Sequence, residues 1–265
     1  MNKSLSFPLI SELPKLLDAS DWEWQTPPPR DDGLGMPPWW WIGTDRSGRR
    51  WLVKMSNGFC AYREHVFASL AQRLGISCQS STYLFILSEK AEPRLHTRCS
   101  EPYQLAIWLM EEHAPQSCST TCALSEVIGK YTDYSAIKRA GVSGIAHFED
   151  LVRGDVLGHL CGQFETHGHF VTCDHEYVVI DNELMFAETP GLNGCHWHDN
   201  DAARLLITEV CQDLFSVGDR ELQEIATIPN GFTILHGRDL YDDLLAAKAE
   251  ASKYLDLFDE PSKRK

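Results

Sequence analysis

The sequence predicts an α+β chain in two lobes, a small sheet-bearing lobe with one key helix and a larger, mainly helical one. Three observations carry this expectation. Short β-branched and aromatic runs dominate between residues 39 and 110, helical periodicity dominates after residue 121, and a polar stretch at 111–121 separates them. At 265 residues the chain is long enough for two lobes that each own a core.

The elements follow in order. Residues 9–17 read as a short helix, and a Trp- and Pro-rich connector runs from 22 to 38. Residues 39–43 and 51–55 read as paired strands, because Asp45-Arg46-Ser47-Gly48 between them has turn chemistry. In residues 62–74, Tyr62, Val66, Phe67, Leu70, Ala71 and Leu74 share one arc at helical spacing, and Gly75 is a natural stop. Residues 82–87 and 105–110 read as two further strands. Beyond the polar linker, 124–131, 136–140 and 148–160 carry helical periodicity. A strand pair at 170–172 and 177–180 then interrupts, before helices at 201–215, 220–226 and 238–258.

Composition narrows the function. Apolar residues make up 43% and charged residues 23%, which is ordinary globular usage. The formal charge is −14, so the surface repels phosphate backbones and anionic lipids, and neither nucleic acid nor a membrane is expected as partner. Nine scattered cysteines, an odd count, and no apolar leader at residues 1–10 point to a reducing, cytoplasmic setting.

Two constellations could carry chemistry. Lys54 sits inside the apolar run Trp51-Leu52-Val53-Lys54-Met55, where an ammonium needs a partner. Glu64 lies ten residues later on the next helix. It falls about 20° beyond the edge of the apolar arc at ~100° per residue, so its carboxylate can face the sheet. The second constellation joins Glu165 and His169, before one strand of the late hairpin, to Asp181 and Asn182, directly after the other. Ionisable groups from both strands would meet at one open end.

Taken in order, these parts resemble the protein-kinase-like superfamily, and most closely the small HipA-like kinases. The family line reads strand-Lys, a Glu-bearing helix ending LA-LG, D-R-x-x-x-N, then ID. The corresponding text is Leu52-Val53-Lys54, Glu64 through Leu70-Ala71-Gln72-Arg73-Leu74-Gly75, Glu165 to His169, and Ile180-Asp181. The resemblance covers about residues 33–186 and implies a two-lobed kinase-like fold using ATP and Mg2+. It divides the chain into an N-terminal helix and connector at 1–29, a small lobe with hinge at 30–113, and a helical lobe at 114–265.

The resemblance also assigns roles. Lys54 would bind nucleotide phosphates and pair with Glu64, while Met110, Glu111, Glu112 and His113 would hold adenine through backbone groups. Gly33 and Gly35 could cover the phosphates with bare amides. Asp181 would hold magnesium, with His169 or Asn182 completing its shell. Glu165, with His167 beside it, would take the catalytic position and orient an acceptor hydroxyl on a protein or small molecule. The sequence departs from the family line here: Asp is replaced by Glu165, Arg by Thr166, and Asn by His169. Two readings stay open, an active phosphotransferase and a degenerate pseudokinase serving as a nucleotide-binding or protein-interaction module.

A metal reading competes. His159, Cys161, His167, His169, Cys173 and His175 crowd together, and Cys195-His196-Trp197-His198 follows. These are zinc ligand types, but C-x-x-C pairs are missing, and strand alternation keeps the candidates from all converging. No G-x-S-x-G supports a nucleophile. The Trp39-Trp40-Trp41 run is expected to pack the small lobe.

Overall fold

The computed structural model describes residues 22–25, 40–44, 46, 48, 50–55, 58–76, 82–86, 104–109, 148–163, 168–171, 177–180, 185–228 and 238–259. By backbone proximity the chain divides into two compact units. The first comprises Met1–His65, Ser80–Glu112 and Ile228–Arg238, and the second Val66–Gln79, His113–Thr227 and Asp239–Lys265. The expected helices at 9–17, 124–131 and 136–140 lie outside the described residues.

The first unit carries a five-stranded antiparallel sheet. Its strands are β1 (Glu23–Gln25), β2 (Trp40–Thr44), β3 (Arg50–Met55), β4 (Thr82–Ile86) and β5 (Gln104–Leu109), in the order β1-β2-β3-β5-β4. Thr44 pairs with Arg50, so the β2–β3 turn spans residues 45–49, and Gly48 takes the left-handed φ of 80° that this turn needs. β1 lies within the stretch expected to be a connector. A three-residue edge strand of Glu, Trp and Gln has little local signal, and it forms because β2 offers it a ladder at Gln25–Ile42.

Between β3 and β4 runs α1 (Gly58–Arg73), which starts one turn before its apolar arc. The unit boundary falls within it, after His65. On the first-unit side, Phe59 and Tyr62 stack at 6.5 Å, and the Arg63 guanidinium covers the Phe59 ring at 4.3 Å. On the other side, Val66, Phe67, Leu70 and Ala71 are fully buried, as their spacing predicts. The helix ends in a Schellman motif: the Ile76 amide donates to Ala71 O at 2.9 Å, and that of Gly75 to Gln72 O at 3.0 Å. Gly75 supplies the φ of 64°.

The second unit is built on α2 (Phe148–Leu160), α3 (Asp201–Ser216), α4 (Asp219–Ile225) and α5 (Tyr241–Asp259). The two-stranded hairpin β6 (Gly168–Val171) and β7 (Tyr177–Ile180) also belongs here. α3 packs on both α2 and α5, and its buried side chains Ala203, Ile207, Val210, Cys211 and Leu214 recur at helical spacing. Asn200 caps it by accepting from the Ala203 amide at 3.0 Å. On α5, buried Ala247 and Ala251 let the backbones approach, and Lys248 donates to Val217 O at 2.7 Å and Asp219 at 2.8 Å. One ammonium thereby ties α5 to the α3–α4 junction. Arg153 on α2 reaches Leu74 O at 3.3 Å and Asp213 at 3.4 Å, and Arg73 pairs with Glu221 on α4.

α2 also ends in a Schellman motif, with Gln163 donating to Gly158 O at 3.2 Å and Gly162 to His159 O at 3.1 Å. This end is occupied from the other side. Amides of Phe186, Ala187, Glu188 and Gly191 donate to the carbonyls of Cys161, Gly162, Gly162 and His159 at 2.7, 3.1, 3.0 and 3.1 Å. Phe186 adopts a left-handed φ of 57° to do so and is buried. Gly162, at φ 62°, leaves no room for a side chain, because a Cβ would strike the Glu188 carbonyl.

Among the described cysteines, the buried Cys161 and Cys211 are free thiols. Among the described residues no helix is long and apolar enough to cross a membrane.

Two expectations follow. Gly75→Ala meets open space and costs about 1 kcal/mol for its left-handed φ. Gly162→Ala must also displace a backbone carbonyl, so urea unfolding shows a loss roughly double that or more. Secondly, burial, then Cys195 and Glu250, push the Cys211 thiol from 9.0 up to about 12. Burial, then Cys211 and Cys195, push the Tyr254 hydroxyl from 10.0 up to about 12. The fold holds both groups protonated after the unfolded chain has ionised. Their contribution is full below pH 9 and is lost as pH rises through about 12, and the urea midpoint falls across that window.

Candidate functional site

Lys54 is described by backbone and register: in β3 it stands opposite Trp40 on β2 and Ala106 on β5. Glu64 lies on α1, the element after β3, and is fully buried. The expectation from its helical angle put it at the edge of the apolar arc, and the structure takes it inside. A carboxylate there has lost its water and depends on protein partners for its charge. His169 is likewise described by register, opposite Val179 in the β6–β7 hairpin. In that hairpin Gly168 pairs with Ile180, so the start of β6 and the end of β7 form one end. Gly33, Gly35, Met110, Glu111, Glu112, His113, Glu165, His167, Asp181 and Asn182 lie outside the described residues. Of the expected set, Lys54 and Glu64 therefore fall in consecutive elements of one unit.

A second constellation occupies the interior of the helical unit. Asp155, in the middle of α2, has no solvent exposure. Its Oδ2 accepts a hydrogen bond from Trp197 Nε1 at 2.9 Å. Trp197 is itself fully buried and meets Phe148 edge-on, ring centroids 5.6 Å apart at 87°. The indole thus lies along one face of α2, touching residues two turns apart. One turn after Asp155, His159 brings its Nε2 to 3.7 Å from the same Oδ2. Cys195, buried and just ahead of the short 3-10 helix His196–Asp199, completes a group whose ligand-type atoms all lie within 4.8 Å of one another.

Several parts fix this geometry. The Gly191 amide donates to His159 O at 3.1 Å, and the Cys195 amide to Leu192 O at 2.9 Å, folding the 191–195 turn against α2. Gly194 lies against the imidazole, since a Cβ there would sit 3.4 Å from His159 Cε1. The His198 ring nitrogen Nε2 bonds Leu192 O at 2.8 Å and stacks near Tyr254, bracing the turn from its other side.

The sequence reading named His159 and Cys195 among its zinc candidates and missed Asp155. Its signal was available as an Asp-x-x-x-His spacing, which sets both residues on one helix face. Cys161, also a candidate, is outside the group, and burial with the charge of Asp243 pushes its thiol above its ordinary range. His167, Cys173 and His175 lie outside the described residues.

No protein-family model matches the chain, and no curated protein does. Among solved structures the chain is similar to the proinflammatory kinase CtkA of Helicobacter pylori, at 10% identity over 90% of this chain and 93% of that one, with a TM-score of 0.42. It is also similar to the golgi casein kinase, at 13% identity over 88% and 71%, with a TM-score of 0.41. At these scores the likeness fixes neither fold nor activity.

The Asp155–Trp197 bond gives a stability expectation. Trp197→Phe strips a buried carboxylate of a donor, and a double-mutant cycle with Asp155→Asn, read by urea unfolding, yields a coupling of about 1–3 kcal/mol.

Proposed function

We propose that the chain is a HipA-like kinase of the two-lobed α+β kinase-like fold, transferring the γ-phosphate of ATP to a protein or small-molecule hydroxyl. The observation that carries this reading is the full burial of Glu64 on the helix that directly follows the Lys54 strand. A buried carboxylate needs a cation or several donors, and Lys54 is the cation that the sequence pattern supplies. Support also comes from the element order: a hairpin, a helix, two strands, then helices around a hairpin.

In this reading, residues 30–113 form the small lobe and hinge, and residues 114–265 the helical lobe. Bound Mg-ATP supplies the phosphoryl group, its phosphate charge neutralised by the metal. Lys54 binds phosphate oxygens and is held in place by Glu64. Gly33 and Gly35 offer unobstructed amides, and the backbone of Met110, Glu111, Glu112 and His113 orients the base. Asp181 suits magnesium as an oxygen donor, and Asn182 offers a second oxygen, whereas His169 offers a nitrogen that magnesium disfavours. Glu165, with His167 adjoining it, orients the acceptor hydroxyl and takes up its proton. The reaction is placed in the cytoplasm, with no nucleic acid or membrane as partner.

The second reading, a pseudokinase acting as a nucleotide-binding or protein-interaction module, is favoured by one observation. Glu165, Thr166 and His169 stand where the family line has Asp, Arg and Asn. Glu carries its carboxylate about 1.5 Å further out. A displacement of ~1 Å can cost about 10²-fold in rate.

Thermal unfolding with Mg-ATP tests the reading. At saturation near 100 times Kd, wild type gains about 2.7 kcal/mol, a shift of roughly 5–10 °C. Lys54→Ala and Asp181→Ala abolish the shift. Wild type without a shift ends the nucleotide reading. A shift with no label transferred from γ-labelled ATP to any acceptor, the chain itself included, selects the pseudokinase.

A further inference from the structure

We propose that Asp155, His159 and Cys195 form a binding site for a divalent transition-metal ion, zinc in particular, that clamps the 191–199 segment to α2. The proposal is independent of the nucleotide reading and uses residues from the helical unit alone. It begins from chemistry. The three side chains offer oxygen, nitrogen and sulfur, and their ligand-type atoms lie within 4.8 Å of one another. Such a mixed hard and soft set excludes calcium and magnesium and suits zinc.

The spacing suits an ion as well. Around a tetrahedral zinc at ~2.0–2.3 Å, neighbouring ligand atoms are roughly 3.3–3.6 Å apart. The observed Asp155 Oδ2 to His159 Nε2 separation is 3.7 Å, longer than a hydrogen bond and close to that span. A group confined to 4.8 Å closes on the ion when each ligand moves inward by less than about 1 Å.

The surroundings are those that a metal site requires. Trp197 Nε1 donates to Asp155 Oδ2, holding the carboxylate in one orientation. Asp155 and His159 share a face of one helix, and Cys195 arrives on a turn fastened to that helix by the Gly191 amide. Gly194 leaves the imidazole its room. Asp155 and Cys195 are buried, whereas His159 keeps 19% of its side-chain exposure. Solvent can therefore reach the imidazole side, and a water fills the fourth position. On binding, Cys195 gives up its thiol proton to solvent and the ion takes the thiolate; no oxidation is involved.

The alternative is a metal-free core in which Asp155, His159 and Cys195 serve packing and hydrogen bonding without an ion. Full-length protein is stripped with a chelator, desalted, and titrated with Zn2+ against a chromophoric competitor and with Co2+ by absorption. Wild type takes one ion per chain. Its cobalt form shows thiolate-to-metal charge transfer, and zinc protects Cys195 from alkylation as mapped by mass spectrometry. Cys195→Ser abolishes the charge-transfer band, and His159→Gln weakens zinc at least tenfold, while Cys60→Ser changes neither. Should Cys195→Ser fail to fold by circular dichroism, His159→Gln and the alkylation map decide. Wild type that binds no ion, a band that survives Cys195→Ser, or zinc affinity unchanged in His159→Gln overturns the proposal.

Discussion

A carboxylate without exposure in the middle of α2 sets the terms for the helical unit. Asp155 keeps its place because the Trp197 indole donates to it, and Trp197 can do so only while residues 191–200 are folded against that helix. The same segment then delivers Asn200 as the cap of α3, and α3 is the helix on which both α2 and α5 pack. This polar contact, with the main-chain bonds of the 191–195 turn, adds a direction that hydrophobic burial lacks.

Local signals made several elements legible in the sequence, the strands β2 to β5 within a residue at each end among them. α2 occupies the same bounds as its periodicity indicates, and α3 and α4 differ by a residue at their ends, because their apolar positions and stops are local signals. β1 was not legible: its pairing is a property of β2, and nothing in Glu23-Trp24-Gln25 marks a strand. α1 extends a turn ahead of its apolar arc, where Phe59 contributes through aromatic contact with Tyr62 rather than periodicity.

Candidate chemistry divides along the same line. Lys54 and Glu64 were visible because a lysine within an apolar strand and a glutamate beside an apolar arc are local anomalies. That Glu64 is wholly interior was not visible, since burial depends on elements distant in sequence. Asp155 shows this more plainly. Its partner Trp197 is 42 residues away, and only the folded chain reveals that an acid, an imidazole and a thiol face one another.

The joint at the end of α2 bears on how such a chain diverges. The bonds that fasten residues 186–191 to it are made by main-chain amides and carbonyls, so they are indifferent to most side chains along that stretch. Gly162, by contrast, is dictated by identity. Mutational drift can therefore rewrite the surrounding letters while the three-dimensional joint endures. Ancestry of this region is better sought in the path of the backbone and one retained glycine than in matching residues.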